Sequence, residues 1–370
     1  MLVVTHEDRP QAWIGVQLLV LSLRRWCPDL RVRASLPGAG AGLRSWMQAR
    51  AVDLVDDPAL AHAGWNVKPR ALLGALAAGA SEAIWIDSDV ILAGDFRHLL
   101  EAVGGDTLVV SDEHRWGVHH GGHLRTELWG LEPGRTLEGT ASSGILRITA
   151  AHRPLLQAWK TLLECEVYAD AQRREWHTRP VHMVGDQDVL TALLGSRRFA
   201  QVPVRYFKSG RDLILNVGPA GYTVSERLAN AGRPLPPLIH CTGPKPWETG
   251  GCGLGAYYRR AFMEVSEYLR VAREYQGELR GASLPWHKRT ALARVLTLLS
   301  GGREDYAALA FALFHGLARR AKRSVVGTWW SDPGRNLRSG DVPNGEALLA
   351  AAECNEVGAN RMAAQTSGAR

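Results

Sequence analysis

In the first 115 residues, short runs of apolar and β-branched residues alternate with runs whose apolar positions recur at helical spacing. Leu2–Thr5 reads as a strand and Gln11–Trp26 as a helix. Strand Leu30–Leu36, helix Leu43–Ala49, strand Ala51–Val55, helix Pro69–Ala78 and strands Ala83–Ile86 and Thr107–Ser111 follow. This rhythm predicts an α/β fold with a mostly parallel sheet and helices on both faces. Such sheets bind ligands beyond the carboxyl ends of their strands. Thr5-His6 and Asp87-Ser88-Asp89 stand at two of those ends.

Read as extended chain, Asp87-Ser88-Asp89 puts both carboxylates on one side, about 7 Å apart. That is a clamp for a hard divalent cation, which can in turn hold a diphosphate. The ordinary alternative is a pair of acids capping a strand at a turn. Downstream, Ser143–Ile148 reads as a strand and Arg153–Tyr168 as a helix. Strands are expected near Gln201–Tyr206, Leu213–Asn216 and Leu238–Cys241, then a long helix Ala256–Tyr275. From about residue 280 the chain turns to basic amphipathic helices, Pro285–Leu299 and Arg303–Arg323, and a Gly-, Ser- and Asn-rich tail. The expected division is therefore a catalytic domain over 1–280, a helical extension over 281–327 and a disordered tail over 328–370.

Two further constellations carry chemistry. Gly185-Asp186-Gln187-Asp188 precedes the apolar run Val189–Leu194. Asp186 suits a helix N-cap, and the same three side chains could line a cleft and grip sugar hydroxyls. The second is His240-Cys241-Thr242-Gly243-Pro244-Lys245, which follows strand residues Leu238-Ile239. A histidine completing two carboxylates, with a lysine for phosphate close behind, makes a coherent cation–diphosphate site. Lys68-Pro69-Arg70 opens a helix and offers either base to an anion. Four histidines, His114, His119, His120 and His123, lie with Trp116 and Trp129 in an aperiodic loop from 113 to 140. They suit an acceptor-side surface better than a metal site.

Net charge is +7 and the pI about 9.3, which favours anionic partners without choosing among them. The five cysteines are scattered and form no CxxC pair, as expected of reduced thiols in a cytoplasm. The opening residues lack a charged n-region, and the apolar stretch Trp13 to Leu23 is too short to span a bilayer, so a soluble, cytoplasmic chain is expected.

The ordered set Asp87-Ser88-Asp89, Ser142-Ser143-Gly144-Ile145-Leu146, Asp186-Gln187-Asp188 and His240 to Trp247 resembles the retaining glycosyltransferases of family 8. The resemblance spans roughly residues 1–250. It implies the GT-A fold, with Asp87, Asp89 and His240 binding Mn²⁺, or Mg²⁺ as second choice. The donor would be a nucleotide-diphospho-sugar, a UDP-hexose. Thr5 and His6 would lie along the uridine, and Ser88, Ser142, Ser143, Gly144, Gly243 and Lys245 would border the donor, with Lys68 or Arg70 reaching it. Asp186, Gln187 and Asp188 would contact the donor sugar, with Gln187 on the face where the glycosidic bond breaks. Ser142 takes a place where the family usually carries asparagine, and one residue rather than two separates Gly243 from Lys245.

The expected activity is transfer of a hexose to a glycan or lipid-linked acceptor in envelope polysaccharide synthesis. Nucleic acid is not an expected partner. The basic helices would allow a peripheral place on an anionic inner membrane face. Two other readings stay open. A nucleotidyltransferase could use the same paired acids, although Thr5-His6-Glu7-Asp8-Arg9 is no Gly-rich triphosphate loop. A non-catalytic glycan-binding scaffold could keep the same fold.

Overall fold

The computed structural model describes residues 1–61, 64–113, 122–216, 218–219, 221–243, 245–248, 253–280, 290–326 and 336–355, with side chains of the 290–326 segment through Ala318. The first half follows the expected rhythm: β1 (Leu2–His6), α1 (Trp13–Trp26), β2 (Arg31–Ser35), α2 (Ala41–Gln48), β3 (Val52–Leu54), α3 (Lys68–Ala77), β4 (Glu82–Ile86), β5 (Val90–Leu92) and β6 (Leu108–Asp112). Then come α4 (Leu124–Leu128), β7 (Ala141–Thr149), α5 (Arg153–Leu163), α6 (Glu166–Gln172), α7 (Asp186–Gly195), β8 (Val204–Phe207), β9 (Leu213–Leu215), α8 (Val224–Ala229) and β10 (Leu238–His240). Helices α9 (Leu254–Met263), α10 (Glu267–Ala272), α11 (Ala291–Leu299) and α12 (Glu304–Val326) follow.

Seven strands form the main sheet in the order β3-β2-β1-β4-β7-β6-β8, with β7 antiparallel to both neighbours and the other pairings parallel. Alternation along each central strand feeds two cores. Val3, Ile84 and Ile86 join a cluster with α1 and α10, while Val4, Ala83 and Trp85 join one with α3, α5 and α7. Both faces are thereby covered, as the run pattern requires. A second sheet, β5-β10-β9, holds β10 antiparallel to β5 and parallel to β9.

Three expectations need correction. The helix expected over Arg153–Tyr168 is two helices, because Cys165 leaves the helical region with ψ of 152°. The helix expected over Ala256–Tyr275 also breaks, because Ser266 turns extended and its hydroxyl caps α10 at the Leu269 N–H. The tail is not wholly without structure, since residues 345–355 are helical and Leu349 is buried. Leu349, with Leu348 packed partly buried beside it, is what docks it. Residues 356–370 and 281–289 lie outside the described residues.

Candidate active site

Strand β4 delivers its last ladder bond at Asp87, whose N–H donates to Gly144 O at 2.9 Å. The chain then turns, with Val90 N–H donating to Asp87 O at 3.0 Å, and leaves the main sheet as β5 of the small one. Asp87-Ser88-Asp89 is therefore a turn joining two sheets, not the extended strand end that alternation implied. The carboxylates still converge, because β10 pairs with β5 in a register that sets His240 opposite Val90. His240 Nε2 lies 3.5 Å from Asp87 Oδ2 and 3.2 Å from Asp89 Oδ1.

Two glycines make this approach sterically feasible. A Cβ on Gly144 would sit 2.2 Å from His240 Cε1 and 3.0 Å from Asp87 Oδ2. One on Gly15 of α1 would sit 2.5 Å from Ser88 O and 2.7 Å from the Trp247 ring. Either side chain would force the turn or the histidine loop away. Lys245 Nζ contacts both Asp89 Oδ2 and Cys241 O, so the shortened loop still brings its lysine to the acids.

A second ion-pair line runs from Asp87 towards α7. Buried Lys68, in the first turn of α3, lies 3.2 Å from Asp87 Oδ1 and 3.3 Å from Asp186 Oδ2, and donates to Ser143 Oγ at 2.8 Å. Ser143 in turn donates to Asp186 Oδ2 at 2.6 Å. Asp188 is held differently: Arg125 Nε donates to one oxygen at 2.8 Å and Gly185 N–H to the other at 3.0 Å. The helix-start reading thus holds, with Gly185 rather than Asp186 as the cap residue. Gln187 is half-buried between them and borders the cleft.

Charge is finely balanced here. Burial disfavours ionised Asp87, but Lys68 and His240 outweigh it and hold the carboxyl below the ordinary range. Asp89 is likewise buried, and Lys245 with His240 holds it well below the ordinary carboxylate range. Burial pulls His240 down, yet Asp89 and Asp87 raise its imidazolium to about 9. Lys68 is held above an ordinary lysine against its burial by Asp186 and Asp87. Asp186 and Asp188 move up through burial, with Lys68 and Arg125 respectively opposing.

These groups border one cleft of about 680 Å³, with His6, Ser88, Ser142, Gly144 and Gly243 also on its wall. Ser88 Oγ donates to buried Glu7, which also takes two bonds from the Arg9 guanidinium. Thr5 is buried outside the wall, and Ser143 acts through Lys68 and Asp186. Arg70 points elsewhere, to Glu164 on an exposed surface, which leaves Lys68 as the base that reaches the site. Trp129 is fully buried and donates to His182 O, so it is no sugar platform. His114, His119, His120 and Trp116 lie outside the described residues, and His123 meets Thr136 on the surface.

Three cleft residues escaped the sequence reading. Glu113 follows β6 at another carboxyl strand end, so the strand-end rule applied to β6 would have found it. Its side chain is buried and Oε1 has no partner among the described residues. Burial raises its carboxyl to about 7, against the opposing pull of His240 and Ser142. Trp65 and Trp176 line the cleft half-exposed and offer the aromatic faces expected of the 113–140 loop. No sequence signal separated them from ordinary surface tryptophans.

The residues present fit a divalent cation. One ligand atom each from Asp87, Asp89 and His240 lies within 4.8 Å of the others, and His240 Nδ1 has no partner among the described residues. Two carboxylate oxygens and an imidazole nitrogen, with room left in the cleft, are a donor set for a transition or hard divalent ion.

No protein family and no curated protein sequence matches the chain. Among solved structures it is similar to the galactosyltransferase LgtC in complex with donor and acceptor sugar analogs (18% identity, 75% of this chain and 100% of that one, TM-score 0.46). It is also similar to the glycosyltransferase GlyE of Streptococcus pneumoniae TIGR4 (17% identity, 75% and 63%, TM-score 0.41). A third is mouse xyloside xylosyltransferase 1 in its apo form (14% identity, 66% and 99%, TM-score 0.42).

Proposed function

We propose that the chain is a metal-dependent retaining glycosyltransferase that moves a hexose from a UDP-sugar to a hydroxyl of a glycan or lipid-linked acceptor. The observation that carries this is the convergence of Asp87, Asp89 and His240 with two lysines, Lys68 and Lys245, on one cleft that also holds Gln187. Asp87, Asp89 and His240 would hold Mn²⁺, or less favourably Mg²⁺, supplying charge neutralisation for a leaving diphosphate. Lys245 and Lys68 stand ready to pair with the same phosphates.

Bond making and breaking then run on one face of the sugar. The acceptor oxygen bonds to the anomeric carbon as its bond to the diphosphate opens, and the hydroxyl proton passes to the departing phosphate oxygen. Asp188 is poorly placed as an enzyme nucleophile, since Arg125 and the Gly185 amide already engage its carboxylate. Gln187 orients the sugar through its amide. Glu113, with one oxygen that meets no partner among the described residues, holds the incoming hydroxyl, while Trp65 and Trp176 offer apolar faces to acceptor rings. Envelope polysaccharide synthesis on the cytoplasmic side is the setting that suits such substrates.

A panel of nucleotide sugars, assayed with and without Mn²⁺ for release of the nucleoside diphosphate, tests the assignment. Release from one UDP-sugar, dependent on Mn²⁺, is expected. UDP with Mn²⁺ at a hundred times its dissociation constant should stabilise the fold by about 2.7 kcal/mol. Pyrophosphate release from a nucleoside triphosphate would point instead to a nucleotidyltransferase. No turnover of any donor would point to a scaffold.

A further inference from the structure

The junction of β6 and β7 carries two polar side chains that the fold leaves incompletely bonded. Val110 pairs with Leu146 but Ser111 with Ser142, so Ser143, Gly144 and Ile145 stand opposite no residue of β6. Irregularities of this kind re-aim side chains beside active sites. Beyond it Asp112 pairs with Ala141, and Glu113 N–H donates to Thr140 O at 3.0 Å. Glu113 and Thr140 are therefore directly opposite, with side chains on one face and Cβ atoms about 5 Å apart. Both residues border the cleft, at 3% and 2% exposure. Glu113 Oε1 and Thr140 Oγ1 each lack a hydrogen-bond partner among the described residues.

Two orphaned polar atoms on neighbouring buried side chains cost stability until a ligand or water completes them. A serine hydroxyl or a lipid primary alcohol would meet one of the two and leave the other bare. Neighbouring hydroxyls of a sugar ring meet both. One donates to the Glu113 carboxylate, and the next exchanges a bond with the Thr140 hydroxyl. Trp65 and Trp176, on the wall of the same cleft, suit the apolar face of such a ring. Resting on the transferase reading of the cleft, we propose that Glu113 and Thr140 form an acceptor subsite for a vicinal diol of a pyranose ring. Glu113 holds the hydroxyl that reacts, and Thr140 holds its neighbour. The acceptor is thereby narrowed to a sugar, whether free glycan or glycolipid.

Two measurements on the full-length chain test the subsite. Mn²⁺-dependent release of UDP from a UDP-sugar without acceptor reports the transferase reading alone. Saturation-transfer NMR, with UDP and Mg²⁺ present, reads binding of methyl glucopyranoside, galactopyranoside and mannopyranoside beside their singly deoxygenated analogues. At least one parent should bind, and loss of either of two adjacent hydroxyls should weaken it about tenfold. Thr140→Val should weaken the parent by a similar factor yet leave unchanged the analogue that lacks the hydroxyl Thr140 holds. Should that variant fail to fold, the deoxygenated series on the wild-type chain reads the same contact. Analogues that all bind like their parents overturn the proposal and leave the two atoms to water. Equal weakening of parent and every analogue by Thr140→Val overturns it too, as does a loss confined to the donor KM. No pyranoside binding by a chain that releases UDP overturns it while sparing the transferase reading. The expected binding pattern in a chain that releases no UDP keeps the sugar subsite and removes that reading instead.

Discussion

A single methyl group decides whether Asp87, Asp89 and His240 can converge. Gly144→Ala would place its Cβ 2.2 Å from His240 Cε1, and His240 must move because the strand backbone cannot. Displacement of that order costs catalysis heavily. The variant should lose Mn²⁺-dependent nucleotide release by about 100-fold while keeping its circular dichroism spectrum, and near-normal release would refute the geometry. Glu113 gives a test by pH. Its folded-state carboxyl is raised to about 7 from an ordinary 4.5. The neutral form is favoured in the fold, so this contribution is fully present below pH 4.5 and lost as pH rises through 7. Removing the titration with Glu113→Gln should stabilise the protein relative to wild type by about 3 kcal/mol more at pH 8 than at pH 4. Urea midpoints of the two proteins across that range would settle it; parallel curves would rule the burial effect out.

Elements were legible in proportion to how local their causes are. The strands and helices of the first half follow from run length and periodicity, and so does the pair of strand-end acids. What could not be read was that the chain changes sheets at Asp87–Val90, because this depends on β10, about 150 residues later, pairing with β5. The choice of Lys68 over Arg70 likewise needs the rotation of α3 against Asp87 and Asp186. The segment 336–355 was hidden for a different reason: its polar, Gly-containing composition conceals contacts made far away. Asp341 accepts a two-pronged bond from Arg174 at 2.8 and 2.6 Å and a bond from the Arg338 N–H, and its carbonyl meets buried His182 at 2.8 Å. Arg174 and His182 bracket the cleft-wall residues Trp176 and Val181, and the same loop leads into Asp186. Asp341→Ala should therefore cost about 2 kcal/mol in urea denaturation and raise the KM for acceptor more than that for donor. Equal changes in both constants would reduce the segment to a structural strap.

At the scale of the molecule, the chain after residue 280 cannot be peeled away from the α/β body, although composition marked it as an appendage. Ala307, Ala308 and Phe311 of α12 are buried in the same core cluster as α1 and the small sheet. Farther on, Gly345 N–H donates to Trp129 O at 2.8 Å, Leu349 joins the opposite core cluster, and Arg198 pairs with both Glu346 and Glu353. The chain after residue 280 thus touches the core on both sides of the main sheet. Two truncations separate the contributions. A chain ending at Val326 keeps α11 and α12 but loses every contact of the 336–355 segment, leaving Arg174 without its carboxylate and Trp129 O without a donor. Removing a buried pair's partner and a buried hydrogen bond together should cost about 4 kcal/mol, read as a lower urea midpoint with the slope unchanged. A chain ending at residue 283 also strips Phe311 and its neighbours from the core, and it should fail to give a cooperative transition at all. If the shorter chain instead unfolds cooperatively at the wild-type midpoint, α12 contributes nothing to the core and the helical segment is an appendage after all.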